Sequence, residues 1–287
     1  MASDGDRAGA YDPDITRGLL AEAARLVQAF SFAGEHVTVL GGLVPGLLVP
    51  VLEPGLEAHV GTRDLDLCLS VGLLDGDVGN YERLEKCLKN AGFQMARNEN
   101  HEPISWRWLG GVDVPLTVEF FCPAGPNRPA GRLHRPGGLV GANLSALALA
   151  AGGLIDLDAV ERIIDVALPA RGGTARVRLR VTGIAGYIAA KVDALIRRDK
   201  HKDAYDIIWL IEAWPGGPAG AADAVRSSPI FNHPEFRNSL TELRKLFADL
   251  DAVGPRRYAS FMGQGTGQAD ALARQAVGAV ATLLKAI

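Results

Sequence analysis

Between Thr62 and Ser70 the chain alternates. Leu65, Leu67 and Leu69 fall on one side of an extended strand, and Asp64, Asp66 and Cys68 fall on the other. A strand with three leucines on one face must bury that face, so the two carboxylates are held on the opposite face, about 6.5–7 Å apart. Like charges at that separation repel unless something neutralises them. A divalent cation held by oxygen ligands is the natural answer.

A later stretch, Leu116 to Phe121, alternates Leu116, Val118 and Phe120 with Thr117, Glu119 and Phe121. That makes Glu119 the candidate third ligand. Asp113 is its rival, although Pro115 nearby argues against a strand interior there. Three carboxylates on one sheet face would hold two Mg²⁺ ions and serve in-line phosphoryl or nucleotidyl transfer. The plainer alternatives are a solvated edge strand for Asp64 and Asp66, and a surface residue for Glu119.

The 287 residues are 48% hydrophobic, enough for one large or two small domains with a buried core. The net charge of −3 gives no overall case for nucleic-acid binding. Cys68, Cys87 and Cys122 form no C-x-x-C pair and no disulfide framework, which fits a reducing cytoplasm. The first residues are polar, without the apolar run of a signal peptide, and Met1 to Pro13 reads as a disordered tail. Pro136 to Ile155 carries no Asp, Glu, Lys or Arg and is long enough to span a bilayer. Its glycines, Asn143 and Ser145 instead predict a soluble loop and a small helix, so no membrane partner is expected.

Periodicity predicts a helix over Ile15–Phe32, a strand over His36–Leu40, and a proline-interrupted helix over Leu43–Leu52. It then predicts a helix capped at Asn80 and closed by Gly92, strands near Ser105–Leu109 and Leu116–Phe121, and a loop over Ala124–Gly141. Leu144–Ala151 reads as helical. Glu161–Leu168 and Ala175–Val181 read as a hairpin. From Gly183 the pattern turns helical, with stripes Ile184, Ile188, Val192, Leu195, Ile196 and then Ala204, Ile207, Ile208, Ile211. Trp214–Pro234 reads as a loop, followed by helices near Glu235–Asp251 and Asp270–Lys285. The expected fold is α+β: a mixed sheet flanked by helices over 1–182, then a helical domain over 183–287.

Gly41-Gly42 follows the first strand and precedes a helix, so bare backbone there can present N–H groups to phosphate. Further on, Lys191-Val-Asp-Ala194-Leu195 leads to Arg197-Arg198 and then to Lys202-Asp203-Ala-Tyr-Asp206-Ile-Ile. Strand, G-G, D-h-D-h and a later acidic strand residue together resemble the nucleotidyltransferase superfamily of the DNA polymerase β type. The second half resembles the K-x-x-A-L-x-x-R … [RK]-D-x-x-D-h motif of the AbiEii-type toxins of toxin–antitoxin pairs. The resemblance runs in order from about Val37 to Ile211.

The resemblance implies a nucleotidyltransferase fold and Mg²⁺, or Mn²⁺, held by Asp64, Asp66 and Glu119. An NTP such as ATP would be the co-substrate and an RNA (tRNA) or protein the acceptor, with a cognate antitoxin as partner. Gly41 and Gly42 would lie against the phosphates and Lys191 would neutralise them. Asp203 and Asp206 would orient Lys191 or reach the acceptor. Lys191 and Arg198 share a helical face at i and i+7, and Asp203 and Asp206 share another. Arg197, Arg198, Lys200, His201 and Lys202 form a basic patch usable for RNA.

The chain departs from the family in placing 21 residues between Gly42 and Asp64, in having Gly42 where the family often has Ser, and in having Glu119 where many relatives have Asp. Thr62 is the candidate substitute for the missing serine hydroxyl. Two rivals stand beside this reading: a non-catalytic nucleotide-binding relative, and a D-x-D glycosyltransferase using a nucleotide sugar. A haloacid-dehalogenase-type phosphatase is disfavoured by Cys68 at the position where D-x-D-x-[TV] wants Thr or Val.

Overall fold

A computed structural model describes residues 7–11, 13–70, 78–111, 115–135, 144–167, 173–263 and 267–287. The protein is mixed α/β and divides into two compact units interleaved in sequence. One comprises residues 13–44 and 62–182, and the other 1–12, 45–61 and 183–287. One crossing falls between Thr182 and Gly183, where strand periodicity gives way to helix. The crossings around 45–61 carry no comparable signal.

Among the described residues the sheet unit holds nine strands: β1 (Val37–Leu40), β2 (Asp64–Leu69), β3 (Gln94–Arg97), β4 (Pro103–Gly110), β5 (Leu116–Pro123), β6 (Leu133–His134), β7 (Ala146–Leu149), β8 (Ala159–Ala167) and β9 (Thr174–Thr182). Their order is β3-β4-β5-β2-β1-β9-β8, with β7 pairing the end of β5 and β6 pairing β7. The sheet is mixed: β2 runs parallel to β5 and β1 parallel to β9, while β1–β2, β4–β5 and β8–β9 are antiparallel.

Register puts Leu65 beside Val118, and Leu67 between Val39 and Phe120, all buried on one face. Helix α1 (Pro13–Ala29) packs its buried Leu19, Ala23, Leu26 and Val27 toward that face, and the Phe30 ring beyond its end lies 6.3 Å from Phe120. Burial of the leucine, valine and phenylalanine side chains favours the fold by about 1.5–3 kcal/mol each. It also fixes register, because a one-residue slip of β2 would send its leucines outward and its aspartates into the core.

Two expectations fail in this unit. Leu144–Ala151 was expected to be helical, but Ala146–Leu149 is strand β7, hydrogen-bonded between β5 and β6. Ala and Leu favour helix, and cross-strand pairing overrides that preference. A short helix does follow, over Gly152–Leu157. Asn80 does not begin its helix, which already starts at Val78 and runs to Asn90. Asp113 and residues 168–172 lie outside the described residues.

Among the described residues six helices follow β9: α5 (Ile184–Arg197), α6 (Lys202–Ala213), α7 (Gly217–Arg226), α8 (Pro234–Leu246), α9 (Val253–Met262) and α10 (Ala269–Ala286). Val44–Leu48, Val78–Asn90 and Gly152–Leu157 are α2, α3 and α4. The stripes expected on α5 and α6 are buried, except that Ile196 faces out. Trp214–Pro234, expected to be a loop, contains α7. Its Pro218 sits in the first turn, where the backbone needs no N–H, and Ala221, Ala222 and Val225 are buried. The helix expected over Glu235–Asp251 stops at Leu246, and α9 follows it. The tail expected over Met1–Pro13 is ordered at Ala8–Tyr11, with the Tyr11 ring 6.0 Å from Phe261. Among the described residues no helix is long and apolar enough to cross a membrane.

Candidate functional site

The sheet unit brings Gly41, Asp64, Asp66 and Glu119 together. Leu40, the last residue of β1, pairs with Asp66, and Asp66 pairs with Glu119. Asp66 and Glu119 therefore sit directly across adjacent strands, about 4.8 Å apart in the backbone. Asp64 lies two residues before Asp66 on the same face, opposite Thr117. All three carboxylates are half-buried on the face away from the leucines.

The chain turns out of β1 at Gly41, which has φ +74° and begins a short 3₁₀ turn, Gly41–Leu43, leading into α2. A Cβ on Gly41 would lie 1.7 Å from Asp66 Oδ2. Glycine is therefore required twice, by the left-handed backbone and by the approach of the carboxylate. This cradle lets main chain stand where a side chain would displace Asp66.

Glu119 has a partner that sequence analysis did not anticipate. Arg107 lies opposite it on β4, with Nε 2.7 Å and a terminal guanidinium nitrogen 2.5 Å from Glu119 Oε1. Alternation in Trp106-Arg107-Trp108 could have put Arg107 on the polar face; only the strand order shows that it faces Glu119. Among the described residues no three His, Cys, Asp or Glu side chains converge as a ligand set. The donors that fit a hard divalent cation are Asp64 and Asp66, with Glu119 beside them. The Thr62 hydroxyl is spent on β2 itself. It accepts from the Asp64 N–H and donates to the Asp64 carbonyl, both at 3.3 Å, so it is engaged with backbone and not turned to a ligand.

The helical unit gathers Lys191, Arg198, Lys202, Asp203 and Asp206 into one buried network. Lys191 Nζ lies 2.8 Å from Asp203 Oδ1 and 2.5 Å from Asp206 Oδ2. Arg198 grips Asp203 through two nitrogens at 2.7 and 2.8 Å, and Lys202 reaches Asp206 at 2.6 Å. Charges at these spacings on two adjacent helices could equally form an exposed ion-pair ladder. The two aspartates are instead 0% exposed and Lys191 7%. Arg198 also differs from expectation: α5 ends at Arg197, and Arg198 is extended, reaching Asp203 from outside the helix. Lys202 is buried, so it leaves the basic patch expected at 197–202. His201 bonds to Ser260 and Arg197 to Asp193.

Burial works against every charge in this network, and the partners outweigh it for three groups. Asp203 and Asp206 hold the Lys191 pKa above the usual lysine value. Lys191 and Arg198 hold Asp203 below the usual carboxylate range. Lys191, Lys202 and His59 hold Asp206 well below it. For Lys202 burial prevails and its pKa falls.

His59, which carried no sequence signal, completes the cluster. Its Nε2 meets Asp206 at 2.9 Å, and its Nδ1 accepts the Gly61 N–H at 3.0 Å. With Nδ1 accepting, the proton sits on Nε2 and the ring is neutral. Burial and Lys202 push its pKa down to about 4. Tyr205 and Trp209 pack on the ring at 5.1 and 5.0 Å. The Tyr205 hydroxyl accepts the Val60 N–H, and the Trp209 indole donates to the Glu57 carbonyl. Residues 57–61, part of the long Gly42–Asp64 interval, are thus stapled along α6.

No protein-family model matches the chain, and no curated protein matches it.

Proposed function

We propose that the protein is a nucleotidyltransferase that moves a nucleoside monophosphate from an NTP to an acceptor hydroxyl, as the toxin of an AbiEii-type pair. The observation that carries the reading is the seat of Asp66: against the bare Cα of Gly41 on one side and beside Glu119 on the other. Three strands contribute to one polar face, in the arrangement that a strand–Gly-Gly–D-x-D pattern requires.

On this reading Asp64 and Asp66 hold a divalent cation. When bound, the cation would neutralise and orient the phosphate oxygens. The Gly41-Gly42 backbone lies alongside the phosphates. The acceptor oxygen forms a bond to the α-phosphorus as the bond to the β-phosphate oxygen breaks, and pyrophosphate leaves. Glu119 positions the hydroxyl and takes its proton. Positioning and charge neutralisation account for most of the acceleration. The acceptor is RNA, such as tRNA, or protein.

One observation favours a second reading, a non-catalytic nucleotide-binding relative. Lys191 is enclosed with two ionised aspartates and has little positive charge left to offer a triphosphate.

The test is to incubate the protein with Mg²⁺, total cellular RNA and each α-³²P-labelled NTP, beside an Asp64→Ala/Asp66→Ala variant. Label on RNA or protein that disappears in the variant is expected. Mg²⁺-dependent NTP binding without any label would move the conclusion to the non-catalytic relative.

A further inference from the structure

We infer that the Trp106 ring is the platform on which the last base of the acceptor stacks, so that the acceptor is the unpaired 3′ end of an RNA and not a protein hydroxyl. The inference rests on the nucleotidyltransferase reading and specifies what that site acts on.

The direction of Trp106 carries the inference. Strand β4 pairs with β5 from Arg107 to Gly110. In that register Arg107 and Leu109 share the face of Glu119, and Trp108 is buried on the other face beside Val118. Plain alternation would send Trp106 the way of Trp108, into the core. The β3–β4 register, however, shifts at Met95/Ala96: Met95 pairs with Trp108 and Ala96 with Ile104. One step along β3 is matched by the whole of Ile104 to Trp108, and the residues between them bulge. Trp106 is half-buried there, its ring 5.7 Å from that of Phe121 and 5.0 Å from the Arg107 guanidinium carbon. Phe121 stands opposite Cys68, on the carboxylate face. Bulges beside active sites re-aim side chains, and this one sets a tryptophan beside Arg107 and Glu119 in place of the core.

The strand order β4-β5-β2-β1 decides what the ring would meet. Arg107 lies one strand beyond Glu119, about 4.8 Å away in the backbone, while Gly41 lies on the far side of Asp66. With the triphosphate along Gly41-Gly42 and the acceptor hydroxyl at Glu119, the β4 side receives the rest of the acceptor. Arg107 links ring and carboxylate, because two of its nitrogens also hold Glu119 Oε1 at 2.5 and 2.7 Å. Unpaired bases are held by stacking on aromatic rings and guanidinium planes. A serine or threonine hydroxyl brings no flat surface to such a platform. The 3′-terminal nucleotide of an RNA brings both parts, a base for Trp106 and a free ribose hydroxyl for Glu119.

The test reads binding, without turnover. The full chain, with Mg²⁺ and a non-hydrolysable NTP analogue, is titrated by fluorescence anisotropy against a short single-stranded RNA with and without the base on its 3′-terminal nucleotide. One stacked base strengthens binding roughly tenfold, so the wild type should lose about that factor when the base is removed. Trp106→Ala should bind the two RNAs alike, and Trp106→Phe should recover the preference. Trp106→Leu, which keeps apolar bulk without an aromatic face, replaces the alanine variant if circular dichroism shows that one unfolded. Equal affinity of the wild type for both RNAs would overturn the inference. So would a preference that survives in a folded Trp106→Ala or Trp106→Leu protein. The α-³²P assay separates the two failures. Label carried on protein and not on RNA overturns the inference and leaves the nucleotidyltransferase reading standing. Absence of label, together with absence of Mg²⁺-dependent NTP binding, defeats the reading and the inference with it.

Discussion

Gly41 packs on Asp66 so closely that a single methyl group on its Cα would lie 1.7 Å from the carboxylate oxygen Oδ2. The Asp66 side chain could escape by rotating, but only by abandoning its position beside Glu119. Gly41→Ala should therefore damage the site more than the fold. The left-handed backbone adds about 1–2 kcal/mol of strain, a few degrees of melting temperature. Affinity for Mn²⁺ with an NTP analogue should fall at least about tenfold, because about 1.4 kcal/mol of lost site geometry has that effect. Unchanged affinity in a destabilised variant would show that Gly41 serves only the turn.

In the helical unit the expected damage is the reverse. Asp206→Asn strips Lys202 of its buried counter-charge and leaves Lys191 with Asp203 alone, and breaking such a network costs about 3–5 kcal/mol. Urea unfolding should register a loss of that order. Lys191→Met, which fills similar volume without the charge, should cost no less, because it leaves Asp203 and Asp206 underpaired. A loss below about 1 kcal/mol in both variants would mean that the network is hydrated in solution.

His59 gives the protein an acid sensitivity with a defined window. Burial, then the charge on Lys202, lowers its pKa from 6.5 to about 4. Between those values the unfolded chain binds a proton that the folded chain refuses, so stability falls as pH drops from about 6.5 to about 4. The shift corresponds to about 3 kcal/mol across the window. Protonation would also set an Nδ1 proton against the Gly61 N–H, releasing residues 57–61. Chemical denaturation at pH 7, 5.5 and 4.5 should show this slope, and His59→Gln should flatten it. An equal slope in the variant would assign the sensitivity to other groups.

The sheet face was legible because alternation is a local signal. The residues of β2 and β5 state their own burial, so Asp64, Asp66 and Glu119 could be placed on a polar face from sequence. Which strands adjoin is not local. Arg107 stands 12 residues before Glu119, and only the β4–β5 register shows that they touch. His59 was invisible for a similar reason: its partners Tyr205, Asp206 and Trp209 are some 150 residues away. The failures at β7 and α7 came from composition. Alanine and leucine suggested helix where hydrogen bonds to β5 and β6 made strand. Glycine and proline suggested loop where a first-turn proline and three buried small residues made helix.

The interleaving of the two units limits how this protein can be taken apart, in the laboratory or in evolution. A fragment beginning at Gly183 would contain every carboxyl-terminal helix and lack His59, Val60 and Glu57. Asp206, Tyr205 and Trp209 would then open onto solvent along one side of α6. The helices are not a detachable cassette that recombination could append to an unrelated sheet. Whatever lineage carries them must also carry the seventeen residues from Pro45 to Gly61, embedded in the gene for the other unit.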